Sequence, residues 1–308
     1  MLPIMIEQTV IAFILIGLGW VCRRRNVFDL SFQRGMASLV LTVALPSKLV
    51  SVANIPIADV GIDRIVVFCT IVFCYFVSML VVLNLVARRL PLTDLLKKQV
   101  PILIIFPSSA FLGIPIISAL YQEAGVFLMG LFAIFYSMFQ YTYGIGIYTG
   151  IKRENFVKLI KTPLLIASLT MIVLFVFQIT LPSVIQRSLS TVGAMAVPMS
   201  LIVVGGTIAQ HSVLRVLQGK LQYGIAFVRL ILVPLTAILI FYLLGIDSMV
   251  AIILSLVFSL PTSSTSAVIA DQYSGDSLFA SVCVVHSFLM FLVTVPFITM
   301  LVNHLWVF

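Results

Sequence analysis

Two short stretches set small hydroxyl side chains directly behind a proline in the middle of long apolar runs. One reads Phe106-Pro107-Ser108-Ser109-Ala110-Phe111-Leu112-Gly113-Ile114-Pro115, the other Leu260-Pro261-Thr262-Ser263-Ser264-Thr265-Ser266. Proline has no N–H and its ring collides with the preceding turn, so each stretch predicts a break in a helix. A helix that restarts after a break presents free N–H groups and a partly positive end, which suits an anion. Pro107, Ser108, Ser109, Pro261, Thr262, Ser263 and Ser264 are therefore candidate ligands of a small carboxylate. Their hydroxyls offer donors without a fixed charge, and no Asp or Glu sits at either break to suit a cation. Gly113 lets backbones cross closely, and Pro115 follows it. The competing reading is that these hydroxyls satisfy carbonyls of their own helices and pack against neighbours.

Further candidates lie outside the two stretches. Lys48 stands two residues past Pro46 in a second apolar run, and Ser200 two past Pro198 in a seventh. A charge inside such a run usually faces a cavity or a partner. Lys48 either neutralises a substrate carboxylate, snorkels to the interface, or pairs with an acid such as Asp271. Arg229 lies nearer a run end, where snorkelling is favoured. Glu123 and Asp271 sit at helix ends, as proton carriers or as capping and solvated groups. His286 is a proton relay or a hydrogen-bonded packing residue. Asn54 and Asn84 read as interfacial. Cys22, Cys69, Cys74 and Cys283 have no CxxC or Cys/His spacing, so neither a disulfide framework nor a metal site is expected. No GxSG-type serine, HExxH or paired-aspartate motif is present, and Ser263 with His286 forms a dyad only if its geometry is assumed. An enzyme and a bound cofactor are not expected.

These residues need elements to hold them, and composition says which. Of the 308 residues 62% are hydrophobic and 9% charged, with a mean hydropathy of +1.23. A soluble domain is about 25% charged, so the chain reads as an all-α polytopic membrane protein. At about 20 apolar residues per span, ten helices fit. They are expected near 4–21, 35–55, 62–87, 98–121, 124–149, 163–181, 188–209, 221–244, 248–270 and 277–304. The net charge of +8 follows the spans rather than pointing to nucleic acid. Arg23, Arg24, Arg25, Arg34, Arg88, Arg89, Lys97, Lys98, Lys152, Arg153, Lys158, Lys161, Arg215 and Lys220 fall in odd-numbered loops, against Arg64 and Arg187 in even ones. The positive-inside rule then makes odd loops cytoplasmic and places both termini outside. The first run has its Arg cluster after it rather than before, so it is expected to be a retained helix.

The prolines also repeat. Leu45-Pro46-Ser47-Lys48 and Val197-Pro198-Met199-Ser200 precede the two breaks by similar distances, and Ala119-Leu120-Tyr121-Gln122-Glu123 resembles Ala270-Asp271-Gln272-Tyr273. The chain reads as two five-helix units, residues 1–150 and 151–308. Five is odd, so the second unit is inverted, with helices 4 and 9 broken and crossing. Inverted repeats with interrupted helices at matching positions mark secondary transporters, with substrate at the midplane. All four prolines are read as breaks, against the alternative of simple kinks.

Phe111-Leu112-Gly113-Ile114-Pro115 in a broken fourth helix resembles the FLGIP-type motif of the auxin efflux carrier family. Pro198…Leu201…Gly205 and Pro261…Ala270-Asp271-Gln272-Tyr273 resemble its seventh and ninth helices. The family includes plant auxin carriers and bacterial malate and malonate permeases. The resemblance implies ten helices in inverted repeats, a substrate site where helices 4 and 9 cross, and an elevator-type motion. In that motion a unit of helices 3–5 and 8–10 moves against a scaffold of helices 1, 2, 6 and 7. It further implies a small carboxylate substrate, a membrane lipid environment and a possible homodimer; protons are a possible coupling partner. The short central loop is like that of bacterial members, hence a plasma (inner) membrane location. The family commonly has an Asn at the fourth-helix break where this chain has Ser108, so that contact does not carry over. Lys48 also departs from the pattern. A channel or sensor on the same fold, binding a small anion without coupled transport, is the alternative; the scarcity of polar residues outside the breaks argues against a continuous pore.

Overall fold

The computed structural model describes residues 2–150, 152–210 and 219–306. Arg215, one of the basic residues assigned to the seventh loop, lies outside them. The described residues form helical rods: α1 (Leu2–Arg24), α2 (residues 30–51), α3 (Ile62–Arg89), α4 in two pieces (Asp94–Ile105 and residues 109–121), and α5 (residues 123–149). Then follow α6, bent by 59° between Arg153–Ile160 and Pro163–Val176, α7 (Ser183–Ala209), α8 (Lys220–Leu243), α9 in two pieces (Ser248–Phe258 and Ser264–Gln272), and α10 (Ser277–Trp306). Five described helices are long and apolar enough to cross a bilayer unaided, and α6 makes a sixth if its pieces are one pass. This is an all-helical polytopic membrane protein. One of the five, Ser109–Thr149, has 41 residues, or about 60 Å at 1.5 Å per residue, about twice a hydrocarbon core. It is divided at Gln122, whose φ of 47° and ψ of −128° are not helical; α4 ends and α5 begins there.

The expected helix limits hold to within a few residues for most rods. The main differences have local causes. α2 begins at Leu30 because Asp29 caps it, accepting a hydrogen bond from the Phe32 N–H at 2.8 Å. α6 begins ten residues early because a short basic helix precedes the bend.

Two of the four prolines do not break their helices. Pro46 lies in the first turn after a π-helical turn, Val40–Ala44, in which the Leu45 N–H reaches back to the Val40 carbonyl. The wider turn relieves the collision between the proline ring and the carbonyl four residues earlier. The same device precedes Pro115 (Ser109–Gly113) and Pro234 (Val228–Leu232). Pro198 falls in the first turn after Met195, whose φ and ψ of −66° and −23° stay helical. Pro46 and Pro198 are kinks; only Pro107 and Pro261 sit in breaks.

α1 and α7 pack backbone to backbone. A Cβ on Gly205 would lie 1.9 Å from the Ile16 carbonyl oxygen, and one on Gly19 2.2 Å from that of Ile202. Small residues at such a crossing replace the hydrophobic drive that lipid does not supply. α2 joins the pair through Gln33, buried, whose Nε2 donates to Thr207 Oγ1 at 3.1 Å.

Gly205→Val is therefore expected to lower the thermal unfolding midpoint of the purified protein, with overpacking costing roughly 1–3 kcal/mol or more. Gly17→Ala, also on α1 but with nothing within 4 Å of an added Cβ, should leave the midpoint unchanged or raise it. Equal behaviour of the two variants would refute the close crossing.

Candidate functional site

The helix of α4 is interrupted between Ile105 and Ser109, and that of α9, after a last turn through Ser259, between Leu260 and Ser264. The two segments meet antiparallel as an isolated β-bridge between Pro107 and Thr262. The Ser108 N–H donates to the Pro261 carbonyl at 2.8 Å, and the Ser263 N–H to the Phe106 carbonyl at 3.0 Å. Backbone groups freed in an apolar interior must be satisfied by other protein groups or a wet cavity. Here each break supplies the other. Gly113 lets them approach: a Cβ there would stand 2.9 Å from Met129 Cε and 3.0 Å from Leu260 Cδ1. Pro107, Pro115 and Pro261 are all buried around the crossing.

The hydroxyls divide into two groups. Some are committed to structure. Thr262 Oγ1 donates to the Leu103 carbonyl at 2.8 Å, while its N–H donates to Ser287 Oγ at 3.1 Å. Ser263 Oγ caps the second piece of α9 and accepts from the Tyr136 hydroxyl at 2.9 Å. Ser200 donates to the Val197 carbonyl of its own helix at 2.9 Å, and so follows the packing reading. Others are uncommitted. Ser109 and Ser264 are the first residues of the second pieces of α4 and α9, and neither hydroxyl has a hydrogen bond among the described residues. Ser108 Oγ and Ser266 Oγ are buried without a partner. Such groups are costly to leave dry and unpaired. They gather at the amide ends of both second pieces.

Beside them lies a polar cluster that the sequence reading did not single out. Gln140 Nε2 donates to Thr265 Oγ1 at 2.7 Å and to the Tyr136 hydroxyl at 3.2 Å, and Ser263 and Thr265 hydroxyls are 2.7 Å apart. Tyr136 and Gln140 are four residues apart on α5 and share a face. A polar pair at that spacing in an apolar helix was the available signal. Gln140 also opens a π-helical turn, Gln140–Gly144, that no proline requires.

Arg229 corrects an expectation. It does not snorkel; it is completely buried. Its Nε donates to the Leu260 carbonyl at 2.8 Å, one terminal nitrogen to the Ile104 carbonyl at 3.0 Å and the Tyr75 hydroxyl at 2.7 Å, the other to the Val257 carbonyl at 3.4 Å. Tyr75 in turn donates to the Ile105 carbonyl at 2.8 Å and stacks on Phe258, with ring centres 4.0 Å apart. The carbonyl ends of the first pieces of α4 and α9 thus share one guanidinium. Each end carries about half a negative charge, so two of them balance one cation, and that balance outweighs a reach to the interface.

The remaining candidates lie apart from this cluster. Lys48 is half-buried on α2, with its backbone against Gly193. Ion pairs among the described residues are Arg64–Asp247 and Lys97–Asp94, so the pairing of Lys48 with Asp271 is not found. Glu123 and Asp271 are exposed. His286 is buried, edge-on to Tyr223 with ring centres 4.4 Å apart. Asn84 is more than interfacial: its amide donates to the Tyr143 hydroxyl at 2.6 Å. Asn54 is exposed.

Tyr136→Phe should remove the hydroxyl that joins Ser263, Thr265 and Gln140, at a cost of about 1–3 kcal/mol for the groups left unsatisfied. A lower thermal midpoint of the purified protein would register it. Ser200→Ala, which loses only a bond within its own helix, should change the midpoint little, within about 0.5 kcal/mol. A silent Tyr136→Phe would refute the network.

A family model described as "Membrane transport protein" matches the chain twice, over residues 4–155 and 147–299. Both breaks and Arg229 fall within those matches. No curated protein matches the chain. The two matches together run from the start of α1 into α10, and the chain belongs to this family of membrane transporters, the auxin efflux carrier family.

Proposed function

We propose that the protein is a secondary transporter that carries a small carboxylate across the membrane. The carrying observation is the pair of opposed amide ends at the crossing of α4 and α9, with four uncommitted serine hydroxyls, Ser108, Ser109, Ser264 and Ser266, around them. N–H groups at a helix start attract anions, and no acidic residue stands at either break to repel one. Pro107, Gly113, Pro115, Pro261, Thr262 and Ser263 shape the site rather than ligate through their side chains. Ser108 takes the place of the family's Asn with a hydroxyl.

The same reading extends to topology and motion. Each rod is one pass, α4 and α9 included, and residues 1–150 and 151–308 are inverted repeats with both termini outside an inner, plasma membrane. Matching breaks at Pro107 and Pro261 and positive-φ residues at Gln122 and Ser274 support the repeat. α3–α5 and α8–α10 form the moving unit, and α1, α2, α6 and α7 the scaffold, consistent with the tight α1–α7 crossing. A homodimer is compatible with this division. Glu123, Asp271 and His286 are the candidates for proton coupling; exposure of the first two favours His286 among them. Lys48 remains a candidate counter-charge on the scaffold.

Purified protein in liposomes tests this, with current and tracer uptake measured for acetate, benzoate, indole-3-acetate, malonate and malate, with and without a pH gradient. Saturable transport of at least one carboxylate is expected. Ser109→Ala and Ser264→Ala should each raise the half-saturating concentration about tenfold, the loss of one hydrogen bond to a charged group. Lys48→Ala reduces transport if that lysine faces the path and leaves it unchanged if it snorkels. Carboxylate binding without uptake would favour a sensor, and non-saturating current a channel; neither binding nor uptake overturns the proposal.

A further inference from the structure

Arg229, buried and bonded through all three of its side-chain nitrogens, is a charge that the transport reading leaves without a task. Arg229 is on α8, yet it touches neither amide end. It holds carbonyls that lie immediately before each break: Ile104 on α4, and Val257 and Leu260 on α9. Through Tyr75 it also reaches Ile105. These anchors are next to the carbonyls that fix the amide ends. Leu260 adjoins Pro261, whose carbonyl accepts from the Ser108 N–H; Ile105 adjoins Phe106, whose carbonyl accepts from the Ser263 N–H. A displacement of either first piece therefore passes directly into the positions of Ser108 and Ser263.

We propose that Arg229 is the positioning residue of the crossing, clamping both carbonyl ends so that the two amide ends keep the spacing a carboxylate requires. The clamp rests on the anion reading of the site. Three features fit this role. A guanidinium offers donors in a fixed planar fork, and here they reach carbonyls on two helices plus a phenol. Its charge offsets the half-charges of two helix ends, so no carboxylate is needed, and among the described residues none forms an ion pair with it. Its burial is complete, which keeps the fork from exchanging partners with water. Lysine would keep the charge but has no planar fork to span both helices.

The test compares unmodified protein with Arg229→Lys and Arg229→Met, the latter an unbranched apolar replacement that adds no unpaired donor. Hydrogen–deuterium exchange of the purified, folded protein reads the clamp without any ligand. Both variants are expected to speed exchange in segments 104–109 and 257–264 at least tenfold, with α1 and α7 unchanged. In liposomes, with malonate and indole-3-acetate as probes, Arg229→Lys should raise the half-saturating concentration about tenfold while the maximal rate stays within about twofold. A residue with a merely structural role would instead lower the amount of active protein, and so the maximal rate, at unchanged half-saturation; that result overturns the proposal. So does wild-type exchange at both breaks in either variant. If Arg229→Met does not fold, Arg229→Lys alone decides. If the unmodified protein transports and binds neither probe nor any other carboxylate, the anion reading falls, while the exchange rates still decide the clamp.

Discussion

A helix broken in an apolar interior has to find partners for the backbone groups it frees, because no water is there to take them. In this protein those partners come in part from the other break and in part from Arg229, Tyr75 and Ser287 beside it. Two N–H groups and two carbonyls pair across the Pro107–Thr262 bridge. Arg229 takes the carbonyls of Ile104, Val257 and Leu260, Tyr75 that of Ile105, and Thr262 Oγ1 that of Leu103. Ser287 meets the Thr262 N–H. Once this exchange is complete, serine hydroxyls without a partner among the described residues stand at the restarting helices, beside their first N–H groups.

The exchange also sorts charge. Helix ends that carry carbonyls face a guanidinium and are neutralised, whereas helix ends that carry amides meet only neutral carbonyls and hydroxyls and keep a partial positive charge. The crossing is therefore electrically lopsided even though its backbone is close to symmetric. A full charge on the carbonyl side leaves the amide side free of fixed cations, so a ligand there is held by dipoles and hydrogen bonds. Such contacts can be made and released without breaking a buried ion pair, which is costly when one partner leaves. Tyr136 and Gln140 hold Ser263 and Thr265 in place from α5, so the hydroxyl cluster is braced from that side.

Much of this was legible in the residues. The two Pro-Ser/Thr stretches located both breaks, because a proline followed by several small hydroxyl residues pairs the loss of a helix bond with polar groups able to serve the freed backbone. Hydropathy located the rods, since each must present an apolar surface. What composition does not carry is which neighbour a freed group finds. Pro46 and Pro198 look like Pro107 and Pro261 in sequence, but they are absorbed as kinks; a π turn or an early helical position accommodates a ring locally, and that choice depends on packing. Arg229 looked like an interfacial residue by its place along α8. Its burial depends on carbonyls 28 to 125 residues away, which no local pattern encodes. Lys48 presents the opposite case. A charge inside a run suggested a partner; among the described residues Lys48 has no ion pair, and Gly193 packs against its backbone.

The bridge at the centre joins residues that are far apart in the chain. Pro107 and Thr262 are separated by 155 residues, and a ribosome adds roughly 5–20 residues each second. For roughly 8 to 30 seconds, then, the first interrupted helix exists without the strand that completes it. During that interval its exposed peptide groups have to be sheltered by water or by the insertion machinery, and the chain's first half, which supplies Tyr75 to the Ile105 carbonyl, cannot settle the rest. Biogenesis of this protein thus passes through a stage in which its centre is the last part to become dry.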